Sequence, residues 1–147
     1  MKKRALQLLI GMSCLALFAG TAAAHCEIPC GIYDDQARIT MLLEHITTIE
    51  KSMNQIKAIE KEKDHHANQL VRWVMNKEQH ANELQEIVTR YFMTQRIKLE
   101  TKMYEKKLGL LHQMLVYAMK CRQTTDLNHT AKLKSVVKEF EQLYFAK

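Results

Sequence analysis

The sequence predicts an all-α protein, an antiparallel four-helix bundle preceded by an irregular N-terminal hook, and three observations carry that expectation. After residue 34 the chain has no proline and one glycine, Gly109, while Leu, Ile, Met, Lys, Glu and Gln dominate, the composition of a helical protein. Apolar residues recur at helical spacing in four separate segments. The joints between those segments are short, which favours antiparallel neighbours.

The first helix is read from Ile39, Leu42, Leu43, Ile46, Ile49, Met53, Ile56 and Ile59, with Glu44, Lys51 and Lys57 on other faces. The charged cluster from Glu60 to Asp64 interrupts this rhythm, which resumes with Leu70, Trp73, Val74, Ala81, Leu84, Ile87, Val88 and Tyr91 as helix two. Between Met93 and Thr101 the periodicity fades without a strong breaker, and the next turn is placed there. Helix three runs from Tyr104 through Leu108, Leu111, Leu115, Ala118 and Met119 to about Cys121. Thr124, Thr125 and Asp126 then offer N-cap oxygens to a fourth helix carrying Leu127, Leu133, Val136, Val137, Phe140, Leu143 and Tyr144.

Ahead of the bundle, Lys2, Lys3 and Arg4 introduce an acid-free apolar stretch that ends in the small-residue run Gly20-Thr21-Ala22-Ala23-Ala24. This is the pattern of a secretory signal with an A-x-A cleavage site. Removing 24 of the 147 residues leaves 123 that begin at His25, enough for a single domain with a core. The expected division is therefore a signal peptide over 1–24, a hook over 25–34 and a bundle over 35–147. Export to the periplasm or the extracellular space follows, with signal peptidase as the maturation partner. The apolar stretch is short for a membrane span, and Cys14 lacks the Leu that a lipoprotein signal expects ahead of it. No membrane association is expected after processing.

Lys2, Lys3 and Arg4 carry three of the six surplus positive charges, so the processed chain would carry +3. That balance suggests no nucleic-acid partner and is compatible with attracting a small anion.

The reactive residue types crowd into His25-Cys26-Glu27-Ile28-Pro29-Cys30-Gly31-Ile32-Tyr33-Asp34. Once Cys14 is lost three cysteines remain, and an odd count in an exported chain argues against a pure disulfide framework. Pro29 and Gly31 suit a tight turn between the two thiols. Cleavage before His25 frees an α-amino group next to the Cys26 amide, so amine, amide nitrogen and the Cys26 and Cys30 sulfurs can form a planar set of two nitrogens and two sulfurs. Such a set suits Cu(II) or Ni(II), whereas Zn(II) prefers a tetrahedron, and the His25 imidazole can approach axially. Two other readings compete: a metal carrier without turnover, and a structural bundle with a Cys26–Cys30 disulfide. A thiol-exchange enzyme fits less well, because three residues rather than two separate the cysteines.

Elsewhere, Glu62-x-x-His65 is half of a carboxylate di-iron motif with no second copy. His45, His112 and His129 read as ordinary helix histidines, Met41, Met53, Met114 and Met119 as packing residues, and Cys121 as an inert buried thiol. Trp73 and Tyr91 read as core or interface aromatics.

The N-terminal segment resembles the nickel-containing superoxide dismutases, whose processed N-terminus carries His-Cys-x-x-Pro-Cys-Gly-x-Tyr, matched here by His25, Cys26, Pro29, Cys30, Gly31 and Tyr33. Gln36-Ala37-Arg38-Ile39, Lys77-Glu78-Gln79 and Tyr91-Phe92 are also similar to that family. The resemblance implies dismutation of superoxide to dioxygen and hydrogen peroxide by Ni(II)/Ni(III) cycling, one nickel ion per subunit, and a homohexamer. It implies nickel held by the His25 amine, the Cys26 amide and the Cys26 and Cys30 thiolates, with the His25 imidazole joining in the oxidised state. Tyr33 would limit access at the open face, which makes Tyr33 and His25 the catalytic candidates. Two positions depart from the family pattern: His80 stands where members often carry Arg, and Thr40 where some carry an acid.

Overall fold

A computed structural model describes residues 29, 31–62, 64 and 66–146. Among them there are four α-helices and no strand: α1 Asp35–Ile59, α2 Ala67–Glu86, α3 Tyr104–Gln123 and α4 Leu127–Phe145. Helix α2 runs on into a π-helical segment, Ile87–Arg96.

On α1 the buried positions Ile39, Leu42, Ile46, Ile49, Met53 and Ile56 alternate steps of three and four, the seam of a helix packed lengthwise in a bundle. Cross-helix pairs fix the directions. His45 meets His80 and Ser52 meets Asn76, so α1 and α2 are antiparallel. Gln85 donates to the Leu115 carbonyl and Lys77 to the Cys121 carbonyl, reversing α3 against α2. Lys106 pairs with Glu139, and Gln36 donates to Glu141, which turns α4 back along α3 and closes the ring against α1. The antiparallel four-helix bundle expected from the sequence is the fold observed.

Between the helices lies a core that includes Leu84, Val88, Leu111, Met114, Leu133, Val137 and a run of aromatic rings. Phe92 stands edge-on to Phe140 and Tyr144 with centroids 5.1 and 5.6 Å away, and Phe140 stacks on Tyr144 at 5.3 Å. Edge-to-face and offset geometries of this kind add to the area the rings bury. Cys121 is fully buried, and burial pushes its thiol up to about 11, the inert state expected of it.

The turn expected between Met93 and Thr101 falls there: helix two continues to Arg96, its last ten residues in π form, and stops where Ile97 turns extended at φ −94°, ψ 97°. The bond from the Ile97 amide to the Phe92 carbonyl, 2.9 Å, and the side-chain bonds from Thr94 to the Thr89 carbonyl and from Gln95 to the Arg90 carbonyl all have the five-residue spacing of that winding. Near its start, α2 buries less than its apolar rhythm promised. Val71, Val74 and Met75 are exposed, and Trp73 is half-buried beneath Lys51.

Asp126 caps α4 by accepting from the Asn128 amide at 3.0 Å, as the sequence suggested. The end of α3 uses a less visible device. Lys77, a buried lysine of α2, donates from Nζ to the carbonyls of Cys121 (2.9 Å) and Arg122 in the last turn of α3. A cation there satisfies carbonyls that have no partner within the helix and sits at the negative end of its dipole. Glu78 accompanies it, 3.3 Å from Lys77 and 2.6 Å from Arg122. Replacing Lys77→Met is expected to lower stability by about 2–3 kcal/mol through loss of these charge-assisted bonds, read as a shifted urea midpoint with an unchanged slope.

Candidate functional site

The polypeptide enters the bundle through a short anchored segment. Gly31 takes φ +76°, a left-handed conformation that side-chain-bearing residues rarely adopt, so the backbone at this position depends on glycine. Three residues later the Asp34 carboxylate accepts from the Ala37 amide at 2.9 Å and caps α1.

Asp35, the first residue of α1, gathers donors from two other elements. Arg96 reaches it in a two-pronged pair, Nε to Oδ1 at 2.8 Å and NH2 to Oδ2 at 2.7 Å. The Tyr91 hydroxyl donates to Oδ1 at 2.6 Å and the Tyr144 hydroxyl to Oδ2 at 2.9 Å. Burial pushes the Asp35 carboxyl up, but the bonds from Arg96, Tyr91 and Tyr144 outweigh it and hold the group below the usual 3.8. On the other side of these contacts, burial and the Asp35 bond raise Tyr144 to about 12 and push Tyr91 well above its ordinary range. Both phenols therefore stay protonated as donors.

Tyr33 is built onto this cluster. The Arg96 guanidinium carbon lies 4.4 Å from the Tyr33 ring centroid, and Tyr91 meets the same ring edge-on at 5.9 Å. One arginine thus pairs with Asp35 and packs against Tyr33 through a cation–π contact. Tyr33 keeps 40 % of its surface exposed, so it is fixed at the surface with its ring accessible.

Beside Tyr91 opens a cleft of about 500 Å³, lined by Pro29, Arg38, Met41, His45, Glu83, Glu86, Ile87, Arg90 and Tyr91. Arg38 lies over the Tyr91 ring at 5.1 Å. Half-buried Pro29, the residue before Cys30 in sequence, forms part of the wall. His45 and His80 face each other across α1 and α2 with Nδ1 atoms 2.8 Å apart. Burial holds His45 below its usual 6.5, partly opposed by Glu83.

Of the site residues expected from the sequence, Tyr33 packs against Arg96 and against Tyr91, which lines the cleft, while His25, Cys26 and Cys30 lie outside the described residues. The sequence reading missed Asp35, Arg96 and the pairing of His45 with His80. An acid beside the Asp34 cap was a visible signal for the first, whereas the others depend on how two helices align. Of the two departures, His80 contacts His45, and the Thr40 hydroxyl bonds back to the Gln36 carbonyl at 3.0 Å.

An all-α bundle with a charged cleft, preceded in sequence by a thiol- and imidazole-bearing segment, has the character of a metal-binding helical protein. The family described as nickel-containing superoxide dismutase matches residues 20–147. The chain belongs to this family: it is an oxidoreductase that acts on superoxide and uses nickel. No curated protein and no solved structure matches it.

The Asp35 cluster has a defined pH signature. Because the folded-state pKa lies below the unfolded 3.8, the unfolded chain binds more protons in that interval. Its stabilisation is complete above 3.8 and is lost as pH falls through the folded value. Asp35→Asn is expected to be less stable than the parent at neutral pH and to converge with it on acidification, measured by urea unfolding across the acid range.

Proposed function

We propose that the nickel centre of this enzyme is the segment 25–34, assembled once the chain is cleaved between Ala24 and His25. The residues that would hold the ion are His25, through its amine and imidazole, Cys26, through its amide nitrogen and thiolate, and Cys30, through its thiolate. Their chemistry fits nickel: two thiolates and two nitrogens match the soft, planar preference of this ion over the tetrahedral preference of zinc. When bound, nickel in this donor set supplies a one-electron Ni(II)/Ni(III) couple, since thiolate and amide charge makes the oxidised ion accessible. The overall reaction converts two superoxide ions and two protons into dioxygen and hydrogen peroxide.

The observation that carries this reading is the anchoring of Tyr33 between Arg96 and Tyr91, three residues after Cys30 and beside the cleft that Pro29 lines. Tyr33 is proposed to limit approach to small anions. Arg38 in the cleft wall offers positive charge to attract them, beside the opposing carboxylates of Glu83 and Glu86.

Secretion by the signal peptide over 1–24, to periplasm or extracellular space, is part of the proposal. Among the described residues no helix is long and apolar enough to cross a membrane. A homohexamer is proposed as well: the exposed apolar residues Val71, Val74 and Met75 of α2 are consistent with subunit contacts, and the number six comes from the family resemblance alone. Sedimentation of the nickel-loaded protein is expected to give six copies, and a monomer would remove that part.

The deciding comparison uses the processed protein, the same protein with one extra residue before His25, and Cys30→Ser. Both changes are expected to reduce nickel-dependent dismutation at least about a hundredfold, equivalent to roughly 2.7 kcal/mol of activation free energy. Undiminished activity with the amine displaced would overturn the hook. Nickel binding without turnover in the unmodified form would instead support a carrier, and absence of free thiols would support a disulfide.

A further inference from the structure

Away from the hook, three side chains of ligand type converge at one end of the cleft. They are His45 on α1 and His80 and Glu83 on α2, the latter two placed three residues apart on one helix face. The Nδ1 atoms of the histidines are 2.8 Å apart, and Glu83 Oε2 lies 3.5 Å from each of them. A hydrogen bond between the imidazoles accounts for the first distance. It does not account for a carboxylate oxygen equidistant from both rings.

A circle through these three atoms has a radius of about 1.9 Å, so an ion at the roughly 2.0–2.1 Å typical of imidazole and carboxylate ligation fits just above their plane, equally far from all three. The side chains of His45, His80 and Glu83 are 12 %, 27 % and 40 % exposed, which leaves a route for solvent. Two of the three also line the cleft, where a water molecule or small anion has room to complete the coordination.

We propose that His45, His80 and Glu83 form a second metal site, using no ligand from the hook, that takes a divalent cation of the zinc class with three protein ligands and one open position. Two imidazoles and a carboxylate without sulfur favour such an ion, and the same donor types hold zinc with an exchangeable fourth ligand in hydrolytic enzymes. Bound there, the cation clips α1 to α2 and adds positive charge to the wall of a cleft that receives an anion. The site stands whether or not the proposed hook ligands are correct.

The test uses the processed protein with Cys26→Ser and Cys30→Ser, so that hook sulfurs do not compete, titrated calorimetrically with zinc chloride. One equivalent is expected to bind and to raise the melting temperature, as ligation of the folded state alone requires. In the same background His80→Gln and, separately, Glu83→Gln are each expected to weaken binding at least about tenfold, with circular dichroism unchanged. Glu83 lies at the exposed rim, so its variant reports on ligation even where His80→Gln disturbs packing. Absence of zinc binding, or binding equally tight in the folded variants, would overturn the site and leave the pair as a hydrogen bond between imidazoles.

Discussion

The carboxylate of Asp35 is the constraint on which the rest of the site depends. It stands at the first turn of α1, where the helix dipole favours negative charge, and accepts from Arg96, Tyr91 and Tyr144. A half-buried anion would be costly if left unpaired, but here both oxygens are met by two donors each. Those donors come from the π segment and from α4, so one residue ties together the start of the bundle, its middle and its end. Arg96 extends the tie to Tyr33 through its other face.

The π winding is what lets Tyr91 and Arg96 act together. In an α-helix, residues five apart are separated by about 140° around the axis, since each residue turns about 100°. With the five-residue bonding of a π-helix, roughly 4.4 residues per turn, the same pair lies about 50° apart. Both side chains then reach Asp35 Oδ1, at 2.6 and 2.8 Å. Continuous α-helical geometry would turn one of them away from the carboxylate. The unusual backbone and the Asp35 cluster are therefore two aspects of one arrangement.

These facts explain what could be read from the sequence. The alternating three- and four-residue apolar steps of α1 were legible because a bundle seam depends on local spacing, and the Asp126 cap because capping is a local hydrogen bond. The π segment was not legible: Ile87 to Arg96 holds neither Gly nor Pro, and its winding is held partly by contacts with Asp35, 56 and 61 residues away in the chain. The role of Lys77 was not legible either, because nothing near it in sequence reveals the end of α3 beside it. His45 and His80 were visible singly, but their meeting required the vertical alignment of α1 against α2. The hook motif was the reverse case, with its chemistry written in adjacent residues.

This contrast suggests why a short ligand segment is attached to a bundle of this size. Ordering each residue of a free segment costs about 1–2 kcal/mol in backbone entropy, more than scattered contacts within ten residues can offset. The bundle supplies fixed points at the end of that segment: Gly31 takes a backbone conformation that other residues resist, Tyr33 is gripped by Arg96 and Tyr91, and Asp34 and Asp35 start the helix. Each contact removes freedom from the chain that follows the proposed ligands without using a proposed ligand to do so. The donors can thus be chosen for redox chemistry alone, while orientation is assigned to residues whose charges and rings are satisfied by the helices.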